Sequence, residues 1–383
     1  MKKLRRVMFL GLLLGTGCLF QSCNDDNDVR KEIKEPETTY TNGVFVLNQG
    51  NFGKKIASSV SFLDYDKNEM VDSVFYKANE TLVGNTLQAG IVYGSHFLAV
   101  AYESNVMIVA NRRTLKIEHV VNLEHPRAIT AEGNYVYVSS YDGYVSRLDT
   151  LTFLQKDTLR VGPNPEEMTV ANGYLYVANS DGMNYLNGYS NGLSVSKIKL
   201  YENAPVSKTS VQGAAAFEYV KTIPVGINPG QIKSDSEGNV FVLAMGDYMT
   251  TPPTIQKINV DDEVSDVDNA TYMTIVNDKL YAFYTETVYD PETWAVVSNK
   301  NTYYTIDTKT LERKDLDLGD GVLYPVAMQV DKNSGDIYLT SESQGQYGAD
   351  YLNAGYMNRY KSDGTFVSAH KTGVHPVQLV FAK

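Results

Sequence analysis

Three observations predict an all-β chain, a seven-bladed β-propeller of four-stranded blades. The first is a set of short apolar and aromatic runs at 127–131, 135–139, 144–148 and 153–161, parted by Gly, Asn, Asp and Thr. Such runs between such residues are strands and reverse turns. The second is that the unit restarts at Pro165, and its shortest spacing along the chain is 39 residues. A period of roughly 40–45 residues with four strands per unit is that of a propeller blade. The third is that the two ends of the chain are complementary, as shown below.

Taken in order, the chain begins with a targeting segment. Lys2, Lys3, Arg5 and Arg6 precede an apolar run, 7–14, that is too short to span a bilayer. It ends at Phe20-Gln21-Ser22-Cys23, which resembles the lipobox of bacterial lipoproteins, in which the cysteine sulfur is acylated. Cys18, after Thr16-Gly17, competes for that position. The acidic run 24–28 favours Cys23, because it resembles the surface-export signal of Bacteroidetes lipoproteins. The expected organisation is a signal peptide at 1–22, an acidic flexible tether at 23–41 and the propeller at 42–383. Localisation is expected at the outer membrane, lipid-anchored and exposed at the surface.

Cleavage before Cys23 removes four positive charges and no acid, so the net charge of −11 becomes −15. An acidic chain with scattered Lys and Arg does not grip nucleic acid. No cysteine follows Cys23, which excludes a disulfide framework or a cysteine zinc site in the mature domain.

Seven segments repeat the start of a blade. Five carry a proline, beginning at His125, Asn164, Asn228, Tyr324 and His375, and two begin without one at Leu87 and Ala270. Second strands are expected at 174–178, 240–244, 280–284 and 336–340, and third and fourth strands at, for example, 303–306 and 311–316. The blade around 260–264 has a poor fourth strand. The chain opens with 44–47, 60–63 and 70–76, which are strands two, three and four without a first. It closes with 377–381, a first strand without followers. Pairing of the two ends removes the open sheet edges that a broken ring would expose.

Tyr176-Val177-Ala178-Asn179 and Tyr144-Val145-Ser146-Arg147-Leu148-Asp149-Thr150 resemble the YVTN and YncE-like propeller repeats. Glu166 after Asn164-Pro165, with 48–53 (NQGNFG), resembles a family of Bacteroidetes surface lipoprotein propellers that includes the BtuG-type proteins. The resemblance implies capture of cobalamin or another corrinoid and its transfer to a TonB-dependent outer-membrane transporter. These motifs specify the fold well and the ligand poorly.

The links from strand one to two and from three to four are short turns, such as 132–134, 172–173 and 307–310, and are expected to be structural. The insertions collect in the two-to-three loops and the links between blades. There each blade offers an aromatic beside Asn, Asp or Gln, a combination suited to a ligand with flat apolar faces and amides. The candidate ligand-binding residues are Phe52, Tyr102, His125, Arg127, Tyr141, Asp142, Asn164, Tyr185, Tyr189, Asp247, Tyr248, Trp294, Tyr347 and His375. His125 and His375 precede inner-strand prolines; they hydrogen-bond a ligand or satisfy backbone groups at blade junctions.

The acidic stretch 261–263 with Asp266 and Asp268 lacks the glycine-centred loop of an EF-hand and reads as a solvated edge. No Walker loop and no G-x-S-x-G elbow occurs. The expectation is a binding protein without a resident cofactor or metal rather than an enzyme, although propellers such as the streptogramin lyases catalyse with scattered side chains. A glycan-binding accessory protein and a protein-interaction scaffold are the alternative readings.

Overall fold

The computed structural model describes residues 38–201 and 215–383. The signal peptide, Cys18, Cys23 and the acidic run that follows it lie outside the described residues. Those described form seven four-stranded antiparallel sheets and one two-stranded hairpin. Blades 1 to 6 start from the inner strands Leu87–Tyr93, Pro126–Glu132, Pro165–Ala171, Pro229–Ser234, Tyr272–Val276 and Pro325–Val330. In blade 7 the inner strand Pro376–Phe381 pairs with Gly43–Asn48, which pairs in turn with Ser59–Asp64 and then Glu69–Val71. Its register sets Phe45 opposite Val380 and Val46 opposite Leu379, so the ends close the ring.

The middle strands are apolar without alternation, and Val240–Ala244 is buried at every position. The reason is that each sheet is covered on both faces by its neighbours, as parallel sheets are in layered folds. Leu98, Val100, Met107 and Val109 of blade 1 pack with Ile129, Val136 and Val138 of blade 2 in one such interface. The inner strands turn an edge toward the axis, and long polar side chains cover part of it. Gln378 Oε1 accepts from the N–H of Gly90, Glu167 Oε2 from Ile232, and Gln231 Oε1 from Met273, at 2.7, 3.1 and 2.9 Å. Each blade so treated caps the next.

Two expectations need correction. The stretch 70–76 is not a single strand: Glu69–Val71 pairs, and Val74–Asn79 turns into a short helix that buries Val74 and Phe75. Val74, Phe75 and Ala78 stand at helical rather than alternating spacing, and they fill the cluster around Phe45 and Phe97. In blade 4 the fourth strand, Val264–Asn269, is irregular but not short: it pairs with Thr254–Ile258 along its length, with one bulge at Val267. The acidic run 261–263 is the turn before it. Asp262 lies there in the left-handed region and is held by Lys197 and Lys221 of blade 3, each at 2.7 Å. Asp262 is a staple between blades, whereas Asp261, Glu263 and Asp266 remain exposed as a solvated edge.

Candidate ligand-binding face

The geometry of the long-loop face follows from one recurring backbone device. Proline has no N–H for a ladder, so a strand that opens with it needs an irregularity there. In six inner strands the register shifts beside the first residue, a proline in five and Leu87 in the sixth, and the bulged residues are Gln88, Arg127, Glu166, Gly230, Val326 and Val377. A bulge re-aims its side chain, toward the axis for Gln88, Arg127, Glu166 and Val377. Just before it, Thr86, His125, Asn164, Asn228 and His375 adopt positive φ between 42° and 59°. Asn and His tolerate that region better than most residues, which explains why Asn-Pro and His-Pro recur in the sequence.

The carbonyl of this residue accepts from the residue just beyond strand two. Tyr102 donates to Thr86, Tyr141 to His125, Ser180 to Asn164, Met245 to Asn228, Glu342 to Tyr324 and Gln49 to His375. These equivalent positions ring the axis, and their side chains differ most from blade to blade.

At the axial mouth, Arg127 Nε donates to Glu166 Oε2 at 2.6 Å, and the Tyr141 hydroxyl donates to Glu166 Oε1. Arg127 also lies 5.0 Å over the Tyr141 ring, and Tyr102 stacks on His125 at 4.9 Å. Burial opposes the Arg127 charge, yet the Glu166 carboxylate and Tyr141 hold its guanidinium above its ordinary range. Burial and the Glu166 charge push the Tyr141 phenol up as well. Beside them lies a cavity of about 280 Å³, bordered by Arg127, Glu166, Asn228, Gln231, Tyr248 and Gln378 among others.

A second cavity, of about 470 Å³, opens on the same face over blades 5 and 6. It lies between the long hairpin Lys279–Tyr289 with Val296–Asp307 and the small hairpin Ser343–Gln344 with Ala349–Asp350. Its lining includes Thr271, Thr285, Thr287, Glu342, Tyr347 and His375, and it shares no lining residue with the axial cavity. Glu342 is buried, and its Oε1 is hydrogen-bonded to His375 Nδ1. A third cavity, of about 500 Å³, lies on the short-turn face beside Tyr65, Asn277 and Lys332. That face is therefore not merely a set of tight turns.

The structure divides the predicted residues into groups. Arg127 and Tyr248 border the axial cavity, while Tyr102, His125 and Tyr141 stand beside Arg127 in the stacked network. Asn164 bonds the Tyr141 carbonyl through Nδ2 and the Met183 N–H through Oδ1. Tyr347 and His375 belong to the blade 5–6 cavity. Phe52, Tyr185 and Trp294 are 53, 62 and 73% exposed and border neither cavity. Asp142 is exposed and caps its own turn at the Tyr144 N–H.

Two predicted residues take structural roles. Tyr189 is buried and packs on Tyr248 with ring centres 6.2 Å apart. Asp247 accepts from the Thr250 hydroxyl and from the N–H groups of Met249, Thr250 and Thr251, which hold its carboxyl well below the usual range. Sequence reasoning passed over Glu166 and Glu342 as site residues. The signal for Glu342 is its place just after strand two, the position of Tyr102 and Tyr141. Among the described residues no three His, Asp or Glu side chains gather as a metal site, and no helix is long and apolar enough to cross a membrane.

Comparisons with known proteins fit this architecture. No curated protein matches the chain. A quinonprotein alcohol dehydrogenase-like protein from Bacteroides thetaiotaomicron is similar over 90% of this chain and 79% of its own, with 15% identity and a TM-score of 0.61. A hydrazine synthase from Kuenenia stuttgartiensis is similar over 78% of this chain and 90% of its own, with 15% identity and a TM-score of 0.56. Both likenesses show the fold alone. The family model described as a domain of unknown function, DUF5074, matches residues 42–376, so this chain, a seven-bladed propeller, belongs to the DUF5074 family.

Proposed function

We propose that the propeller is a surface binding protein whose long-loop face captures a corrinoid such as cobalamin. In this reading Cys23 anchors the chain by its lipid to the outside of the outer membrane, and the ligand passes to a TonB-dependent transporter. The observation that carries the binding role is the set of water-exposed aromatics Phe52, Tyr185, Tyr248 and Trp294 on the loops of one face. Large exposed apolar groups collected on one face mark interaction sites. Rings of this kind take the corrin faces, while Asn228, Gln88 and Gln231 at the axial mouth take peripheral amides. A closed ring fixes the loop ends and so lowers the ordering cost at binding. The ligand identity and the lipid anchor rest on the sequence resemblance.

Titration of the purified protein with cyanocobalamin, followed by calorimetry and by the corrin absorbance, tests the reading. Saturable heat and a spectral shift are expected. Neither at micromolar protein would remove the corrinoid, and a glycan array then tests the carbohydrate alternative.

A further inference from the structure

The blade 5–6 cavity has a chemical bias that the axial mouth lacks. Glu342 Oε2 is fully buried and has no hydrogen-bond partner, although the Glu342 side chain is only 2% exposed. An unpaired buried carboxylate oxygen is costly, so a site that keeps one calls for a donor from a ligand or from water. With Glu342 ionised and His375 neutral, Nδ1 is the donor to Oε1, and Nε2 is then left as an acceptor.

The remaining polar lining is spent in the same sense. The Thr285 hydroxyl donates to Asn301 Oδ1 at 2.7 Å and that of Thr287 to Asn299 Oδ1 at 2.5 Å. Thr271 donates to the Phe283 carbonyl at 3.2 Å, and Asn299 Nδ2 donates to the Leu323 carbonyl. The threonine hydroxyl hydrogens and one Asn299 N–H are thus consumed, the Thr285 and Thr287 oxygens keep lone pairs, and the hydroxyls of Tyr289, Tyr347 and Tyr351 can donate or accept. Among the described residues no Lys or Arg borders the cavity. Tyr289, Tyr347 and Tyr351 stand half-exposed around it and supply ring faces.

A sugar hydroxyl can donate to the carboxylate as well, but it brings no charge to meet it. An ammonium group brings three donors and no acceptor, and it is attracted both to the carboxylate and to aromatic faces. We infer that the cavity between blades 5 and 6 binds an organic cation through a primary ammonium group. Glu342 Oε2 and His375 Nε2 take its N–H donors, and the tyrosine rings cover its carbon stem. The volume falls within the range of roughly 300–1,000 Å³ typical of small-molecule sites. This site is separate from the axial mouth and stands whether or not a corrinoid binds there.

The test is calorimetry and saturation-transfer NMR on the purified protein with butylamine and cadaverine, against 1-butanol and glucose as neutral controls. Saturable binding of an amine is expected, with the neutral probes at least tenfold weaker. Glu342→Gln retains an acceptor for His375 but turns a donor toward the cavity, so amine binding falls at least tenfold. Should that variant not fold, Thr287→Val, with a severalfold loss, and the wild-type preference for amine over glucose both still decide. Absence of amine binding, equal binding of glucose, or unchanged affinity in a folded Glu342→Gln protein overturns the inference. Cyanocobalamin affinity, measured on the same proteins, is unchanged by Glu342→Gln, so failure of either site is read separately.

Discussion

Glu166 and Glu342 are both carboxylates on the long-loop face, and they differ in what surrounds them. Glu166 is saturated, with Arg127 on one oxygen and Tyr141 on the other. Glu342 has His375 on one oxygen and nothing on the second. The first carboxylate is thereby a structural part of the axial mouth, fixing the arginine over the face of the tyrosine ring. The second is an unfilled hydrogen-bond acceptor beside a larger cavity. Presence of a charged residue in a pocket thus says less about binding than the tally of its unused donors and acceptors.

The largest effect expected from this contrast is on stability at the axial mouth. Arg127→Ala strips a largely buried carboxylate of its cation, and breaking such a pair costs roughly 3–5 kcal/mol. Denaturant unfolding checks it; a loss below about 1 kcal/mol would show Glu166 to be as free as Glu342.

Asp262 offers a smaller effect of the same kind between blades. Burial opposes its charge, but Lys197 and Lys221 bring its carboxyl below the ordinary value. A depressed folded value contributes stability that is present above the unfolded value of about 3.9 and is lost as pH falls through the folded one. Asp262→Asn is therefore expected to cost about 2–3 kcal/mol at pH 7, and the gap from wild type to close as the pH falls below about 4. Urea titrations at the two pH values measure it.

The exposed aromatics sharpen the comparison from the side of binding. Replacing Tyr185, Tyr248 and Trp294 together by Ala leaves the melting temperature in place and weakens corrinoid binding by at least tenfold, about 1.4 kcal/mol. An unchanged affinity would move the corrinoid site away from these loops. Smallest is the stability change in Glu342→Gln, under about 1 kcal/mol, because no partner is orphaned. Thermal unfolding of that variant beside Arg127→Ala displays the contrast in one experiment.

Most of the ring was legible in the sequence, because its signals are local. The period near 40 residues, the prolines and the complementary ends gave seven blades and their closure. What misled was spacing and polarity at the rim. The apolar pair Val74 and Phe75 belongs to a helical turn, and Val264–Asn269 looks too polar for a strand because it is an outer edge facing water. His125 and His375 stood out for a different physical reason, since their left-handed backbone selects Asn or His. Tyr189 and Asp247 were indistinguishable in sequence from their exposed neighbours, for loop conformation leaves no period. Glu342 follows a second strand like any polar residue, and only the fold shows that its carboxylate turns inward with one oxygen unmet.

The two regions of this face are proposed to act as separate sites, and competition between their ligands tests this most directly. Cyanocobalamin is titrated into the purified protein with and without saturating cadaverine. Two independent sites predict that each ligand binds and that the cyanocobalamin affinity changes by less than about twofold, or 0.4 kcal/mol. Mutual exclusion of the two ligands, or failure of both to bind, would contradict it.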